Sequence, residues 1–386
     1  MSDPIRTRRI GVWVSVGAIS LFTVSACSQS DPSAALAAAP FGPCGNSFEE
    51  LRLAAEVEGK LTLLGAPREW ANNGAIIDGF ADAYGITVSS IYPDAPSGEE
   101  LTLMRTWENH PRRPDVADLA PAVASQATDE GLVTPYKSSV WESIPAEFKS
   151  TDGAWQASYL GEMSFGVDLG QVENVPQTWS DLRKPEYRGM VTLNGDPRDS
   201  GVATAAVVGA SLANGGSLDD VMPGIEFFSD LKSLGNLNST AYTRANLLYG
   251  DVPLALDWNY ALQDSLSAIV DKGMDFEVVQ PDDGRVAISY AQVIYANASH
   301  PCAARLWIEY VNSDEAARLR NEVDAISTRY ATLPSSGTLG STGRRILDGL
   351  IDGSVAVPNP AQLVKIQNDI DENWGPMVIL VPEDAQ

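Results

Sequence analysis

The sequence has few of the residues that metal sites and catalytic centres use most. It contains two histidines and three cysteines among 386 residues. His110 and His300 both precede a proline, which is a context typical of turns rather than of ligands. The zincin, P-loop, nucleophile-elbow, dinucleotide-binding and calcium-loop patterns are missing from the sequence. We therefore expect no bound metal, no cofactor and no catalytic activity, although an enzyme working with a pair of carboxylates stays an alternative.

Positive charge is also scarce. The chain has 26 lysines and arginines against 51 aspartates and glutamates, which gives a formal net charge of −25. Such an excess repels nucleic acid and anionic lipid, and it attracts cationic ligands. It also keeps an extracellular protein soluble, which is the simpler explanation. A hydrophobic content of 44% argues against disorder.

Long apolar runs are missing except at the start of the chain. Three arginines precede an apolar run over 10–24, which is short for a membrane span. The run ends in Val-Ser-Ala-Cys, and Cys27 resembles the acylated cysteine of a bacterial lipobox. A free cysteine near the end of an ordinary signal peptide is the alternative. We expect residues 1–26 to be a cleaved signal peptide and Cys27 to carry lipid.

The residues that follow are predicted to hold a folded body at the membrane. Residues 27–43 are mostly small and contain prolines, as a flexible tether does. The protein would then lie in the cell envelope, on the outer face of the cytoplasmic membrane, and touch the membrane only through its lipid. In such an oxidising compartment Cys44 and Cys302 are expected to form a disulfide, with two unpaired buried thiols as the alternative.

The rest of the sequence alternates strand and helix patterns. Short apolar runs at 60–65, 86–91 and 115–119 are each followed by a helical pattern, and 190–194 opens a similar series. This alternation predicts parallel strands joined by right-handed crossovers, as in a doubly wound α/β layer. Two α/β lobes, with a ligand at the carboxyl ends of the strands, are the simplest solution.

Four segments resemble a known family. They are LTLLGAPREW at 61–70, YGITV at 84–88, TWSDLRKPEYRG at 178–189 and the turn GDPRDSG at 195–201. On these segments the chain is similar to the solute-binding components of bacterial ATP-driven (ABC) importers, in the branch of polyamine, ferric-ion and phosphonate binders. The resemblance covers residues 61–333.

The resemblance implies a type II periplasmic-binding-protein fold, with two doubly wound α/β lobes joined by a hinge. A small-molecule solute would close the lobes, and the closed receptor would meet a membrane permease with its ATPase. A monomer without a nucleic-acid partner is expected. The implied lobes are 44–163 plus 290–386 for lobe 1 and 164–289 for lobe 2.

The end of one predicted strand supplies the first candidate binding residues. Trp258 and Asp257 end an apolar strand, where sheets of this kind bind ligands. Trp258 matches the tryptophan that stacks on the amine in polyamine binders, and Asp257 would supply a charge partner, with Tyr260 beside it. The alternative is that Trp258 packs under the sheet while Asp257 caps the next helix. Ferric binders carry two adjacent tyrosines here, whereas this chain has Trp-Asn-Tyr, so iron is disfavoured.

The turn at 195–201 supports more than one interpretation. Asp196 and Asp199 resemble the amine-binding acids of the family. The same turn with Ser200 also resembles that of the iron and phosphonate binders, in which hydroxyl and backbone N–H groups at a helix start hold an anion. A plain helix N-cap by Asp199 or Ser200 is the third possibility.

The loop after the first strand is expected to reach the cleft through Glu69 or Trp70, while Arg68 could pair with a substrate carboxylate. Weaker candidates near the predicted crossings between the lobes and in the second loop are Tyr159, Glu162, Ser164, Tyr290, Gln292, Asp94 and Ser97. The sequence thus predicts a lipid-anchored receptor for a small organic solute, with a polyamine or other amine favoured by the acids. The alternatives are the same role for a phosphonate or carboxylate, a carboxylate-dependent envelope hydrolase, and an adhesive lipoprotein.

Overall fold

The computed structural model describes residues 41–333 and 339–379 of the chain. The predicted signal peptide, Cys27 and most of the predicted tether lie outside the described residues, so lipidation stays a prediction. Within the described ranges, no helix is long and apolar enough to cross a bilayer.

The described residues form strands and helices in the predicted alternation. The strands are β1 (Lys60–Leu64), β2 (Thr87–Ile91), β3 (Val116–Leu119), β4 (Gln156–Asp168), β5 (Val191–Leu193), β6 (Leu254–Trp258), β7 (Phe276–Val279), β8 (Ala287–Ile294) and β9 (Ile326–Ser327). The helices are α1 (Phe48–Glu58), α2 (Asn73–Tyr84), α3 (Ser97–Thr106), α4 (Pro121–Asp129), α5 (Gly201–Ala213), α6 (Met222–Leu234), α7 (Arg244–Leu248), α8 (Asn259–Asp271), α9 (Pro301–Val311), α10 (Asp314–Asn321), α11 (Ser341–Asp352) and α12 (Pro360–Trp374). Short 3-10 turns lie between several of them.

The strands join in the order β2-β1-β3-β8-β4-β6-β5, with β7 and β9 both paired to β4. β1 runs parallel to β2 and β3, and β5 runs parallel to β6, as the predicted crossovers require. β4 and β8 run antiparallel to their neighbours and lie between these two parallel groups. We call the part around β1–β3 the first half and the part around β5–β7 the second half.

β4 is the strand that passes from one half to the other. It is 13 residues long and buried throughout. Residues 156–162 pair with β8, whereas residues 163–168 pair with β6 and β7 of the second half. A strand buried on both faces has few charged side chains, and β4 carries only Glu162 and Asp168 in its sequence QASYLGEMSFGVD.

Each half has its own aromatic core. In the first half Phe80 of α2 packs edge-on against Trp307 of α9, with ring centroids 5.3 Å apart. In the second half Trp179 contacts Phe165 at 5.1 Å and Phe227 at 5.9 Å. Buried aromatic pairs of this kind contribute about 0.5–1.5 kcal/mol beyond the area that they bury.

The last helix belongs to the core of the second half. Leu363, Ile366 and Ile370 of α12 are buried in the same cluster as Trp179 and Phe227. The same helix also packs against α4 of the first half, so the predicted assignment of the chain end to lobe 1 stays a prediction. The remaining lobe boundaries stay a prediction.

Cys44 and Cys302 form the predicted disulfide, with their Cα atoms 5.5 Å apart. The bond joins the start of the described chain to the first turn of α9, across 258 residues of sequence. A disulfide that closes a loop of this length stabilises the fold by about 2–5 kcal/mol. Glu58 strengthens the same junction, because its carboxylate accepts hydrogen bonds from the backbone N–H groups of Cys302 and Ala303.

Candidate functional site

A cleft of about 910 Å³ lies between the two halves. The first half contributes the loops after β1 and β2, the start of α3 and the end of β3. The second half contributes the turn after β5, the start of α5, the loop before α7 and the end of β6, and Tyr290 of β8 lies between them. The lining includes Glu69, Trp70, Asp94, Ser97, Glu100, Asp118, Asn194, Ser200, Gly201, Val202, Tyr242, Thr243, Arg244, Asp257, Ser265 and Tyr290.

The topology explains why these residues converge. Parallel strands end at the same edge of a sheet, and the helices that follow begin there. Ser200 caps α5, because its Oγ accepts a hydrogen bond from Ala203 N at 3.3 Å and donates to the Asn194 carbonyl at 2.6 Å. Thr243 caps α7 in the same way through Asn246 N. The caps fix the loops that form the second wall of the cleft.

The cleft is acidic. Its lining contains the five carboxylates Glu69, Asp94, Glu100, Asp118 and Asp257. Arg244 is the only lysine or arginine among the described residues that line it. A concave, partly desolvated surface with this charge balance attracts cations and repels anions.

Glu100 lies in the first turns of α3 and is only 2% exposed. Its Oε2 atom has no hydrogen-bond partner within residues 41–333 and 339–379. Burial raises the pKa of Glu100 well above its usual range, and the neighbouring acids Asp118 and Glu99 add to the rise. The carboxyl group therefore tends to hold a proton when nothing else neutralises it.

Asp118 lies at the end of β3 and is 5% exposed. Its Oδ2 atom accepts a hydrogen bond from the Tyr159 hydroxyl at 2.9 Å, and Tyr159 in turn accepts one from Trp70 Nε1 at 3.0 Å. The Oδ1 atom has no partner among the described residues. Burial raises the pKa of Asp118 to about 6, although Arg320, Tyr159 and Gln292 offset part of the rise.

Asp257 is the acid of the second wall, and it is fully engaged. The Tyr242 hydroxyl donates to Oδ2, and the backbone N–H of Trp258 donates to Oδ1 at 2.7 Å. Burial raises the pKa of Asp257 to about 6, while these donors and Asn194 act in the opposite direction. Asp257 is therefore held in place before any solute arrives.

Four of the predicted binding residues line the cleft: Glu69, Trp70, Ser200 and Asp257. Three of the weaker candidates, Asp94, Ser97 and Tyr290, line it as well. The ring of Trp70 is packed edge-on against Tyr260 at 5.4 Å and Tyr290 at 5.6 Å, so its position is fixed. Whether these residues contact a solute stays a prediction.

Trp258 and Tyr260 are placed differently from the prediction. Both are fully buried and neither belongs to the described lining of the cleft. The Trp258 indole N–H points to the Tyr290 hydroxyl at 3.4 Å, and the Trp258 and Tyr260 rings stack with centroids 6.4 Å apart. The predicted stacking of Trp258 on a solute stays a prediction, and in this structure the buried side chain supports Tyr290.

Three charged candidates are taken up by ion pairs with protein partners. Arg68 pairs with Asp78 at 2.6 Å on the surface, and Asp196 pairs with Arg198 at 2.5 Å. Glu162 is fully buried and pairs with Arg285 at 2.6 Å. None of Arg68, Asp196 and Glu162 belongs to the described lining, because a closer partner holds each of them away from it.

Two further candidates also lie off the described lining. Asp199 is exposed, and its Oδ1 lies near Gly98 of α3, beside the cleft rather than in it. Tyr159 is fully buried on β4 and contacts the lining residues Asp118 and Trp70 through its hydroxyl group. The N-cap interpretation of the turn is the one that Ser200 fulfils.

The sequence reasoning missed Glu100, Asp118, Tyr242 and Arg244. Glu100 sits within a predicted helix, where an acid in the first turn is ordinary. Asp118 lies inside the apolar run predicted as the third strand, and an acid within such a run was the available signal. Tyr242 and Arg244 lie in an irregular segment whose path depends on tertiary packing.

Solved structures of similar fold are bacterial binding proteins. The periplasmic binding protein AfuA of Actinobacillus pleuropneumoniae, solved with exogenous fructose-6-phosphate bound, has a TM-score of 0.66 at 18% identity and covers 84% of this chain and 99% of its own. The spermidine/putrescine substrate-binding protein PotD of Streptococcus pneumoniae has a TM-score of 0.59 at 15% identity, with 83% and 99% covered. Iron-bound HitA of Pseudomonas aeruginosa has a TM-score of 0.59 at 17% identity, with 81% and 99% covered. The predicted type II periplasmic-binding-protein fold is confirmed.

Two curated sequences match part of the chain. An uncharacterized protein of Haemophilus influenzae is 26% identical over 212 residues, which are 50% of this chain and 57% of that protein. A probable ABC transporter periplasmic-binding protein of Sinorhizobium fredii is 23% identical over 226 residues, which are 57% of this chain and 61% of that protein. The chain thus spans about three fifths of the length of the curated relatives it matches.

The solved structures of similar fold are described as binding proteins, and this similarity concerns the fold alone. The sequence profile of the bacterial extracellular solute-binding proteins matches residues 113–331. This match spans β3 to β9, including β4, β6 and β8 with their cleft-facing ends. Because it covers more than half of the 386 residues, the chain belongs to the bacterial extracellular solute-binding protein family.

Proposed function

We propose that this protein is the receptor of an ATP-driven importer and that it captures a small organic amine, such as a polyamine, in the cleft between its halves. The receptor would close on the solute and present it to a membrane permease coupled to an ATPase. The family supports the binding role, and the Sinorhizobium relative is named as part of an ABC transporter. The predicted lipid on Cys27 would keep the receptor beside that permease.

The charge of the cleft is the observation that carries the amine proposal. The described lining of the cleft contains five carboxylates and a single guanidinium. A protonated amine would bring positive charge and N–H donors to these oxygens, and its alkyl chain would contact the rings of Trp70 and Tyr290. The Streptococcus structure of similar fold is named for spermidine and putrescine, which is consistent with an amine at this place in the fold.

Calorimetric titration of the full-length chain with putrescine and spermidine tests the proposal. We expect saturable heat and a smaller radius in solution scattering, because a two-lobed receptor closes on its solute. Asp257→Asn should weaken binding of the amine by about tenfold or more, since it removes a buried charge partner. Asp251→Asn, at an exposed residue outside the lining, is the matched control. An absence of heat with every amine would contradict the proposal.

One observation favours an anionic solute as the second candidate. The start of α5 faces the cleft at Gly201 and Val202, and Arg244 lies on the same wall. A helix N-terminus with a guanidinium nearby can hold a phosphate or carboxylate. The Actinobacillus structure holds fructose-6-phosphate, so a phosphorylated solute is the natural probe.

The second candidate is tested by titration with fructose-6-phosphate and aminoethylphosphonate. Tight binding of either anion without any heat from polyamines would replace the amine proposal. Arg244→Gln should then weaken the binding of the anion, while Lys272→Gln should leave it unchanged, because Lys272 lies against Tyr249 outside the lining. Unchanged anion binding in Arg244→Gln would instead contradict a role for this guanidinium.

The structure suggests where closure would take place. β4 and β8 connect the halves, and Gly201 of α5 lies so close to the first half that an added Cβ would be 3.2 Å from Ala120. We propose that these two strands form the hinge and that the described arrangement is the closed one. A monomer would suffice for this motion, because both walls come from one chain.

A further inference from the structure

We infer that Glu100 and Asp118 form the specificity-determining part of the cleft and accept a solute end that carries N–H donors, as a primary or secondary ammonium does and a quaternary ammonium does not. This inference rests on the proposed amine-receptor function and deepens it. It names two residues of the first half that the resemblance to known binders did not supply.

The placement of Glu100 shows a built site rather than a stray surface acid. The side chain is 2% exposed, lines the cleft, and leaves Oε2 without a partner in the part of the chain that the structure describes. Its carboxyl group lies directly against Gly65, at the end of β1, where a Cβ would overlap it. Gly65 also has a φ of +69°, which favours glycine. The backbone thus leaves room for this carboxylate at the floor of the cleft.

Asp118 provides the second oxygen. Tyr159 holds the carboxylate through Oδ2, and Oδ1 is left without a partner among the described residues although the side chain is 5% exposed. Burial raises the pKa of Glu100, and the nearby Asp118 adds to the rise. A pair of buried, ionised carboxylates with free oxygens is unfavourable for folding, and either a proton or a bound cation can compensate it.

The chemistry of Glu100 and Asp118 limits which ligands can offset the cost of burying their carboxylates. An anion would be repelled, and a quaternary ammonium has no N–H to donate. A metal ion is poorly served, because the described residues contain no group of three or more acidic, histidine or cysteine ligands. A primary ammonium brings one positive charge and three donors, which can bond both free oxygens at once.

The burial of the two acids also predicts how amine binding depends on pH. Burial raises the pKa values of both acids, and the groups around them are the guanidinium of Arg320, the carboxylate of Glu99 and the phenols of Tyr159, Tyr260 and Tyr290. The empty pair therefore tends to hold a proton, whereas an ammonium requires the ionised form. Binding should release protons, and the affinity for amines should fall as pH falls from 7.5 to 5.0.

The first test compares putrescine with tetramethonium, in which both amines of putrescine are trimethylated. Calorimetry on the full-length chain in detergent should show putrescine binding at least about tenfold more tightly. Glu100→Gln should remove that preference and weaken putrescine by about tenfold or more. Glu108→Gln, at an exposed residue just after the same helix and outside the described lining, should change neither value.

The second test measures thermal stability without a ligand, so that a folding defect can be told apart from a loss of binding. Glu100→Gln should raise the melting temperature at pH 7.5, because a neutral amide replaces a carboxyl group whose ionisation burial penalises. The gain should vanish at pH 4, where the glutamate is protonated in both the folded and unfolded chain. Gly65→Ala should lower amine affinity because its Cβ displaces the Glu100 carboxyl, whereas Gly85→Ala has a similar φ and open space around it.

The results of these tests distinguish a failure of this inference from a failure of the proposed amine-receptor function. Equal affinity for putrescine and tetramethonium, or unchanged putrescine binding in Glu100→Gln, would overturn this inference and leave the amine receptor standing. If the chain binds anions and no amine, the proposed function fails and this inference fails with it. If Glu100→Gln does not fold, Asp118→Asn takes its place in the same titrations with the same expected loss.

Discussion

Buried acids occur in two regions of the molecule, and their surroundings differ. Glu162 on β4 is fully buried, and both of its oxygens are paired: Arg285 Nε donates to Oε1 at 2.6 Å and Gln280 Nε2 donates to Oε2 at 2.8 Å. Glu100 and Asp118 in the cleft are almost as deeply buried, yet each has an oxygen without a partner among the described residues. The comparison separates an acid that supports the sheet from acids that are available to a solute.

Arg285→Met should have the largest effect, because it gives Glu162 the unpaired state of the cleft acids. Removing one partner of a buried ion pair costs about 3–5 kcal/mol, so the free energy of unfolding should drop by that amount at pH 7.5. Urea denaturation followed by tryptophan fluorescence measures it. Arg318→Met is the control, since Arg318 pairs with Glu315 and Glu322 on the surface. A loss as small as that of the control would contradict the structural role of Glu162.

Asp118→Asn replaces one of the two cleft acids by a neutral amide and tests how much its burial costs the fold. The pKa of Asp118 is about 6 in the folded protein and near 3.8 when unfolded, so its ionisation destabilises the fold as pH rises between these values. The variant should therefore be as stable as the parent near pH 4 and more stable above pH 6, by up to about 3 kcal/mol. Urea denaturation across pH 4 to 7.5 checks this, with Asp94→Asn as the exposed control. A variant that is less stable at every pH would refute it.

Tyr242→Phe should leave one oxygen of Asp257, the acid of the second wall, without its hydrogen-bond donor. Asp257 would lose its hydroxyl donor, and a buried acceptor left without its partner costs about 1–3 kcal/mol. The loss should be present at pH 7.5 and shrink towards pH 4, because protonated Asp257 needs that donor less. Thermal unfolding at both pH values measures the difference. Tyr249→Phe, whose side chain is exposed, should leave the melting temperature unchanged.

Arg68→Ala should have the smallest effect. The guanidinium pairs with Asp78 where both side chains are more than half exposed, and such pairs contribute about 0–1 kcal/mol. Stability and amine affinity should both stay close to those of the parent. A marked change in solute binding would show that Arg68 reaches the cleft after all, as the sequence interpretation allowed.

The sequence was informative about the fold because the relevant signals are local. The apolar runs at 60–65, 115–119 and 254–258 became β1, β3 and β6 with bounds close to the prediction. Gly85, Gly235 and Gly353 end their helices in the left-handed conformation, as helix-ending glycines do. Packing of α12 was not predictable, since its amphipathic pattern does not say which core covers it.

The site was predictable only in part, because side-chain partners come from distant sequence. Asp257 lies at the end of β6 and Ser200 in the turn after β5, and both therefore reach the cleft, as strand ends do. Trp258 is next to Asp257 but points to the opposite face, since neighbouring residues on a strand alternate. Glu162 looks as available as Glu100 in sequence, and only the position of Arg285 distinguishes them.

The disulfide between Cys44 and Cys302 has a mechanical consequence for the whole receptor. It fixes the point where the predicted tether enters to α9, which is part of the first half. A pull on the anchor would thus be borne by that half and would not be transmitted through β4 and β8. If Cys27 carries the predicted lipid and the halves close as proposed, we expect the first half to stay stationary above the membrane while the second half moves.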